Sequence, residues 1–233
     1  MSGNALKIDG LSSGYGEAIV LRGVSLSVPA GSVLAVLGKN GMGKTTLLKT
    51  VMGFLPPREG RIRVLGEDVT GMRPHRLSGH SVSYSPQDQA IFGELTVEEN
   101  LRLGLRQRRL FAAGLERVAG FFPVLAQRRA QKAGTLSGGE QKMLIMARAL
   151  MAEPALMLVD EITEGLQPSV IARLAAVLRA QRDAGTAILL IEQNIGFALA
   201  VADRYAVMAR GEIVASGAAE PGADSGIADH LAV

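Results

Sequence analysis

The apolar run Val33–Leu37 leads directly into Gly38-Lys39-Asn40-Gly41-Met42-Gly43-Lys44-Thr45, and no other stretch constrains the chain as strongly. Leu47, Leu48, Val51 and Met52 follow at helical spacing. Strand, glycine-rich loop and helix, in that order, are the context in which a GxxxxGK[ST] match carries meaning. The glycines let successive backbone N–H groups converge on phosphate oxygens, and the helix N-terminus adds its partial positive charge. In such a loop Lys44 reaches the β- and γ-phosphates and the Thr45 hydroxyl holds Mg²⁺. Residues Gly38, Lys39, Asn40, Gly41, Met42, Gly43, Lys44, Thr45 and Thr46 are therefore the first candidate ligands of a nucleotide.

The same strand-then-helix grammar recurs. Residues 155–159 and 187–191 read as buried strands, each followed by a helical segment, which implies a parallel sheet covered on both faces. Pro168 opens an amphipathic helix with Val170, Ile171, Leu174, Val177 and Leu178 on one face and Gly185 past its end. Residues 6–8, 20–28 and 61–65 look like short strands separated by turns at Gly14-Tyr15-Gly16 and Pro56-Pro57, an antiparallel sheet at one edge. From Thr96 to about Leu125 the pattern is helical and opens on a capping box, Thr96-Val97-Glu98-Glu99. The expected fold is α/β: a phosphate-loop NTPase core with a mixed sheet, an N-terminal antiparallel β-subdomain and an inserted α-helical subdomain. All 233 residues are expected to form one domain, with residues 1–87 and 141–233 as nucleotide-binding core and residues 88–140 as insert. The tail from Gly217 onward reads as turn-rich.

Composition excludes several classes. Hydrophobic residues are 48% and charged ones 20%, a balance that fills a core and argues against disorder. The longest apolar runs fall far short of the ~20 residues of a membrane-spanning helix. Residues 1–10 lack a charged segment followed by a long apolar one, so no secretion leader is expected and a cytoplasmic location is. With no cysteine, disulfides and thiolate metal sites are out. The net charge of +3 and basic clusters at 102–109 and 128–132 raise nucleic acid as a partner, yet aromatic residues are only 4% and none interleave with the clusters, so it is not expected.

Residues 156–161, Leu-Met-Leu-Val-Asp-Glu, form an apolar strand ending in two carboxylates. Asp160 suits the Mg²⁺ shell and Glu161 suits polarising the attacking water. These two motifs describe many nucleotide-hydrolysing families. A third narrows them: Leu136-Ser137-Gly138-Gly139-Glu140-Gln141 is a capping box opening the helix through Met143, Leu144, Met146 and Ala147, and it is also the signature sequence of the ABC ATPases, which the chain resembles over essentially its whole length.

That resemblance implies roles at matching positions. The signature residues Ser137, Gly138, Gly139 and Glu140 would close over ATP held by the phosphate loop of a second subunit. Tyr15 would stack on adenine, and Gln87, at the end of a strand in Tyr84-Ser85-Pro86-Gln87, would sense Mg²⁺ and γ-phosphate and link to the insert. Gly165-Leu166-Gln167 would cross the dimer interface. Catalysis would fall to Glu161, Gln193 and Lys44, and the metal to Thr45, Gln87 and Asp160. Two departures stand out: Ile162 follows Glu161 where the family generally has proline, and Gln193 occupies the place of its switch histidine. Glutamine can donate a hydrogen bond but cannot become a cation near neutral pH.

Residues 95–101 (Leu-Thr-Val-Glu-Glu-Asn-Leu), the 163–168 stretch and Glu192-Gln193-Asn194 are similar to the ATPases of hydrophobic amino acid uptake systems, in particular the shorter of the two such systems carry. The group includes branched-chain amino acid importers and urea and short-chain amide importers. Glu-Gln-Asn favours the first and Gly-Leu-Gln-Pro-Ser the second, with an exporter ATPase as a further alternative. The resemblance implies ATP and Mg²⁺ as cofactors and a homodimer, or a heterodimer with a second ABC ATPase. It also implies membrane permease subunits that hold the chain at the inner face of the membrane, and, indirectly, a solute-binding protein.

Overall fold

The computed structural model describes residues 3–87, 91–105, 107–220 and 222–231. Two sheets organise it. The first is antiparallel, in the order β2-β1-β4-β5, from β1 (Asn4–Tyr15), β2 (Ala18–Pro29), β4 (Pro57–Val64) and β5 (Glu67–Asp68). The second, in the order β10-β9-β3-β8-β7-β6, contains β3 (Val33–Leu37), β6 (Val82–Ser85), β7 (Leu156–Asp160), β8 (Ala187–Glu192), β9 (Arg204–Ala209) and β10 (Glu212–Ala218). Its pairings are parallel except for the β9–β10 hairpin, so the sheet is mixed. Every residue of β3, β7 and β8 is buried. This explains why those strands read as unbroken apolar runs and not as alternating ones.

Side chains of successive strand residues point to opposite faces, and two cores result. Val33, Ala35 and Leu37 join one, Leu34 and Val36 the other. The second core holds the antiparallel sheet and α1 (Lys44–Val51) against the parallel one. The first takes α6 (Gly138–Leu150), α7 (Pro168–Asp183) and α8 (Ile195–Val201). It continues without a break into Val97 and Leu101 of α3 (Val97–Arg102), Val118 of α4 (Phe111–Phe121), Phe122, and Leu125 of α5 (Pro123–Gln127). The short α2 (Pro74–Leu77) precedes β6.

The helical stretch after Thr96 forms as its capping box directs: Thr96 Oγ1 accepts from Glu99 N and the Glu99 carboxylate accepts from Thr96 N. Fully buried Asn100 fastens what precedes it, accepting from Phe92 N at 3.1 Å and donating to Phe92 O at 3.0 Å. The signature sequence opens α6, with Ser137 as its N-cap and Gly138, Gly139 and Glu140 in its first turn.

Three local readings differ from the structure. The turn expected at Gly14-Tyr15-Gly16 lies at Gly16-Glu17, because Tyr15 pairs with Ala18 and leaves a two-residue hairpin loop. β1 and β2 are longer than the short strands expected; register shifts between Ile8 and Gly14 break the alternation that would have marked them. The tail past Gly217 is not only turns, since α9 (Ala223–Leu231) packs fully buried Ile227 into the first core. Burying such a side chain is worth roughly 1.5–3 kcal/mol. That is enough to hold a helix whose sequence, rich in Gly, Asp and Ser, gives weak local signal.

Candidate functional site

Strand register sets the site. Leu37 pairs with Glu192, Asp160 with Ile191 and Ser85 with Val159, so the carboxyl ends of β3, β8, β7 and β6 lie side by side. The phosphate loop, Gln193 and Glu161 directly follow β3, β8 and β7, Asp160 closes β7, and Gln87 lies two residues past β6. Ligands of open α/β sheets bind outside these ends.

Two glycines are required by the loop's geometry. A Cβ on Gly38 would lie 2.6 Å from Met208 O in the neighbouring strand, and Gly43, the residue before α1, has φ +102°. Val20, Asn40, Gly41, Gly43, Lys44, Thr45, Thr46, Gln87 and Glu161 line a cavity of about 150 Å³ above the loop. The Lys44 ammonium spends its donors inward, on Gly38 O at 2.6 Å, Lys39 O at 2.9 Å and Glu161 Oε1 at 3.0 Å.

Glu161 is the hub. Its side chain is 5% exposed, its other oxygen accepts from Gln87 Nε2 at 3.0 Å and from Gln193 Nε2 at 2.8 Å, and its backbone sits at φ +41°. A non-glycine residue at positive φ is held there by its surroundings at a cost of order 1–3 kcal/mol. The Gln87 amide also reaches Glu164 Oε2 at 2.9 Å, and Lys142 of α6 bonds the Gln87 carbonyl, which joins the β6 end to the signature helix.

Asp160 is 1% exposed, with Oδ2 accepting from Tyr84 Oη at 3.3 Å and Oδ1 without a hydrogen-bond partner among the described residues. Burial and the neighbouring Glu161 carboxylate push its carboxyl up to about 6, against the pull of the Thr45 and Tyr84 hydroxyls and the Lys44 charge. Burial in turn pushes the Tyr84 phenol up, helped by the Asp160 charge. An orphaned, destabilised carboxylate oxygen beside a threonine hydroxyl is a fit for Mg²⁺, which takes one or two protein oxygens and completes its shell with water and substrate phosphate. No group of three or more His, Asp or Glu able to hold a metal exists among the described residues.

Other expected residues lie elsewhere. Ser137 caps α6 with Glu140, Oγ accepting from Glu140 N at 3.3 Å, and Arg128 lies 3.1 Å from the Glu140 carboxylate. The Ser137 backbone N–H above all, with lesser help from the Ser137 hydroxyl and Arg128, holds that carboxyl below its ordinary range, against an opposing effect of burial that ranks second in size. None of Ser137, Gly138, Gly139 or Glu140 lines the cavity at the phosphate loop. Tyr15, at the end of β1, is 47% exposed and outside the cavity lining as well.

The sequence reading missed Glu192. Only 2% exposed, it accepts from Ile162 N at 3.1 Å, Thr163 Oγ1 at 2.9 Å and Gln193 N at 3.2 Å. Burial pushes its carboxyl up, while the Thr163 hydroxyl and the backbone N–H groups of Asn194, Gln193 and Thr163 pull it down. An acidic residue closing an otherwise apolar strand was the available signal.

Residues 21–164, more than half of the chain, match the family model described as ABC transporter. The chain belongs to the ABC transporter family. It is an ATP-binding, ATP-hydrolysing member. The high-affinity branched-chain amino acid transport ATP-binding protein BraG of Pseudomonas aeruginosa is 38% identical over 90% of this chain and 91% of that protein. The probable branched-chain amino acid transport ATP-binding protein LivF of Archaeoglobus fulgidus is 34% identical over 90% of each. An Fe(3+) ions import ATP-binding protein, FbpC 2 of Rhodococcus jostii, is 37% identical over 91% of this chain and 62% of its own length. Among solved structures, a nucleotide-free ATP-binding cassette from an ABC transporter superposes with TM-score 0.89 at 27% identity, covering 99% of this chain and 98% of that one. The ADP conformation of another such cassette gives TM-score 0.88 at 28% identity, covering 99% and 97%. The ABC fold and nucleotide binding are thereby shared with proteins of known structure.

Proposed function

We propose that this ABC ATPase drives solute import as one of two nucleotide-closing subunits, with ATP held between its phosphate loop and the signature sequence of the other. The observation that carries this reading is the separation within one chain: Lys44, Glu161, Gln87 and Gln193 converge at the loop, while Ser137, Gly138 and Gly139 line no part of that cavity. A second molecule would bring its signature to the nucleotide. Gly165 and Gln167, after Glu161, are exposed and would meet that partner.

Lys44 would exchange its loop carbonyls and Glu161 for β- and γ-phosphate oxygens. That exchange releases Glu161 Oε1 to accept a hydrogen bond from the attacking water, while Gln87 and Gln193 keep Oε2 fixed. Gln193, unable to carry a charge, orients and does not relay protons. Thr45, Asp160 and Gln87 would hold Mg²⁺, which would neutralise phosphate charge. Tyr15 would stack on adenine.

The membrane partner would be a permease pair resting near Gln87 and residues 88–100, of which 88–90 lie outside the described residues, served by a solute-binding protein. No described helix is long and apolar enough to cross a membrane, so the chain would reach the inner face of the membrane through those subunits. Branched-chain amino acids are the solute we favour, supported by the matches to BraG and LivF over 90% of this chain. The Fe(3+) relative shows how far similar ATPases serve different solutes, and a urea or short-chain amide importer is the second reading.

The test is Glu161→Gln, with solution mass measured with ATP, with ADP and without nucleotide. A dimer with ATP alone is expected. A monomer under all three conditions, despite ATP binding and with candidate partner ATPases added, would overturn the sandwich.

A further inference from the structure

The segment leaving Glu161 is anchored at buried Ile162 and Thr163 and surfaces at Glu164 and Gly165. Gln193, whose amide fixes Glu161 Oε2 at 2.8 Å, leaves the neighbouring strand end. Glu192 sits between the two and bonds both: Oε1 takes the Ile162 N–H, and Oε2 takes the Thr163 hydroxyl and the Gln193 N–H. We propose that Glu192 is a positioning residue for ATP hydrolysis, locking the Gln193 switch to the segment that runs from Glu161 toward the subunit interface. This rests on the reading of Glu161 as the residue that orients water.

Three features carry it. A carboxylate so deeply buried holds its charge only while its donors stay in place. No cation is within salt-bridge distance of it among the described residues, so neutral donors from two loops do this work together. One of them, the Ile162 backbone N–H, exists because residue 162 is not proline. A proline there has no N–H, so Oε1 would lose this bond. The departure from proline and the buried glutamate form one device. A displacement of the exposed loop that reaches Thr163 either drags Gln193 along or breaks bonds to a buried carboxylate. Gln193 is thereby set from the interface side as well as from its own strand.

An amide at 192 has one acceptor oxygen, so in Glu192→Gln either the Ile162 N–H or the Gln193 N–H meets a donor. Steady-state ATPase kinetics and nucleotide affinity should be measured for Glu192→Gln, Thr163→Val, Ile162→Pro and Ile162→Ala, and for Glu192→Gln combined with Gln193→Ala, beside Glu161→Gln. Glu192→Gln is expected to lower kcat about tenfold and Thr163→Val about threefold, with KM and nucleotide affinity within about twofold; these are order-of-magnitude losses for a coupled buried network. Ile162→Pro should lose several-fold more turnover than Ile162→Ala, which keeps the N–H. In the Gln193→Ala background Glu192→Gln should cost little further. Additive losses in that background, or a change in KM with kcat intact, would overturn the proposal, and Thr163→Val decides if the Glu192 variant fails to fold. If Glu161→Gln retains full turnover, the site reading fails with it; if Glu161→Gln is inactive and Glu192→Gln is not impaired, only the positioning role fails.

Discussion

Asp160→Asn is expected to make the protein more stable at neutral pH while removing its Mg²⁺-dependent turnover. The magnitude follows from the carboxyl, raised from 3.8 to about 6 by burial and by Glu161. Roughly two pH units at about 1.4 kcal/mol each make ionised Asp160 a cost of about 3 kcal/mol to the metal-free fold. The sign is fixed by which state holds the proton more tightly. Here it is the folded one, so the group's favourable contribution is complete below pH 3.8 and is lost as pH rises through about 6. Asparagine does not titrate. The stability difference between variant and wild type should therefore be near zero around pH 4 and reach its full size above about pH 7. In a chain of this size 1 kcal/mol moves the midpoint by about 2–4 °C, so the gap at neutral pH should be roughly 6–12 °C. Thermal melts of both proteins without nucleotide or metal, from about pH 4 to pH 8, read it directly. A variant less stable at neutral pH, or a gap that does not widen with pH, would show that Asp160 is not held against ionisation and would remove the reason for its poise toward a cation.

Lys44→Ala should weaken nucleotide binding or turnover about ten- to a hundredfold, from charge-assisted hydrogen bonds worth about 1.5–3 kcal/mol; normal binding in equilibrium titration would count against the phosphate site. Gln193→Ala should retain measurable turnover with a pH profile like that of the wild type, whereas Glu161→Gln should retain almost none; the reverse order of losses would exchange their roles. Ile227→Ala should lower stability by about 2–5 kcal/mol in denaturant unfolding, since its side chain fills the first core; a neutral result would mean that α9 contributes nothing to the fold.

The sequence alone carried the phosphate loop, both carboxylates after residue 159, the capping boxes at Thr96 and Ser137, and the buried strands. Each of these is a local pattern in which backbone geometry or apolar continuity demands particular residue types at fixed spacing. β9 and α9 were illegible for the opposite reason. Arg204–Ala209 is short and unremarkable by itself. It becomes a strand through its parallel pairing with β3, some 170 residues away in sequence, as Leu34 pairs with Arg204 and Leu37 with Val207. Tertiary structure alone decided which side chains meet. That Lys44, Gln87, Glu161 and Gln193 share one carboxylate depends on strand order and register, which no segment contains. Glu192 looked like a polar end to a strand. Only the adjacency of β7 and β8 shows that its carboxylate is enclosed by the segment after Glu161, because burial and hydrogen bonding between distant segments are properties of the packed chain.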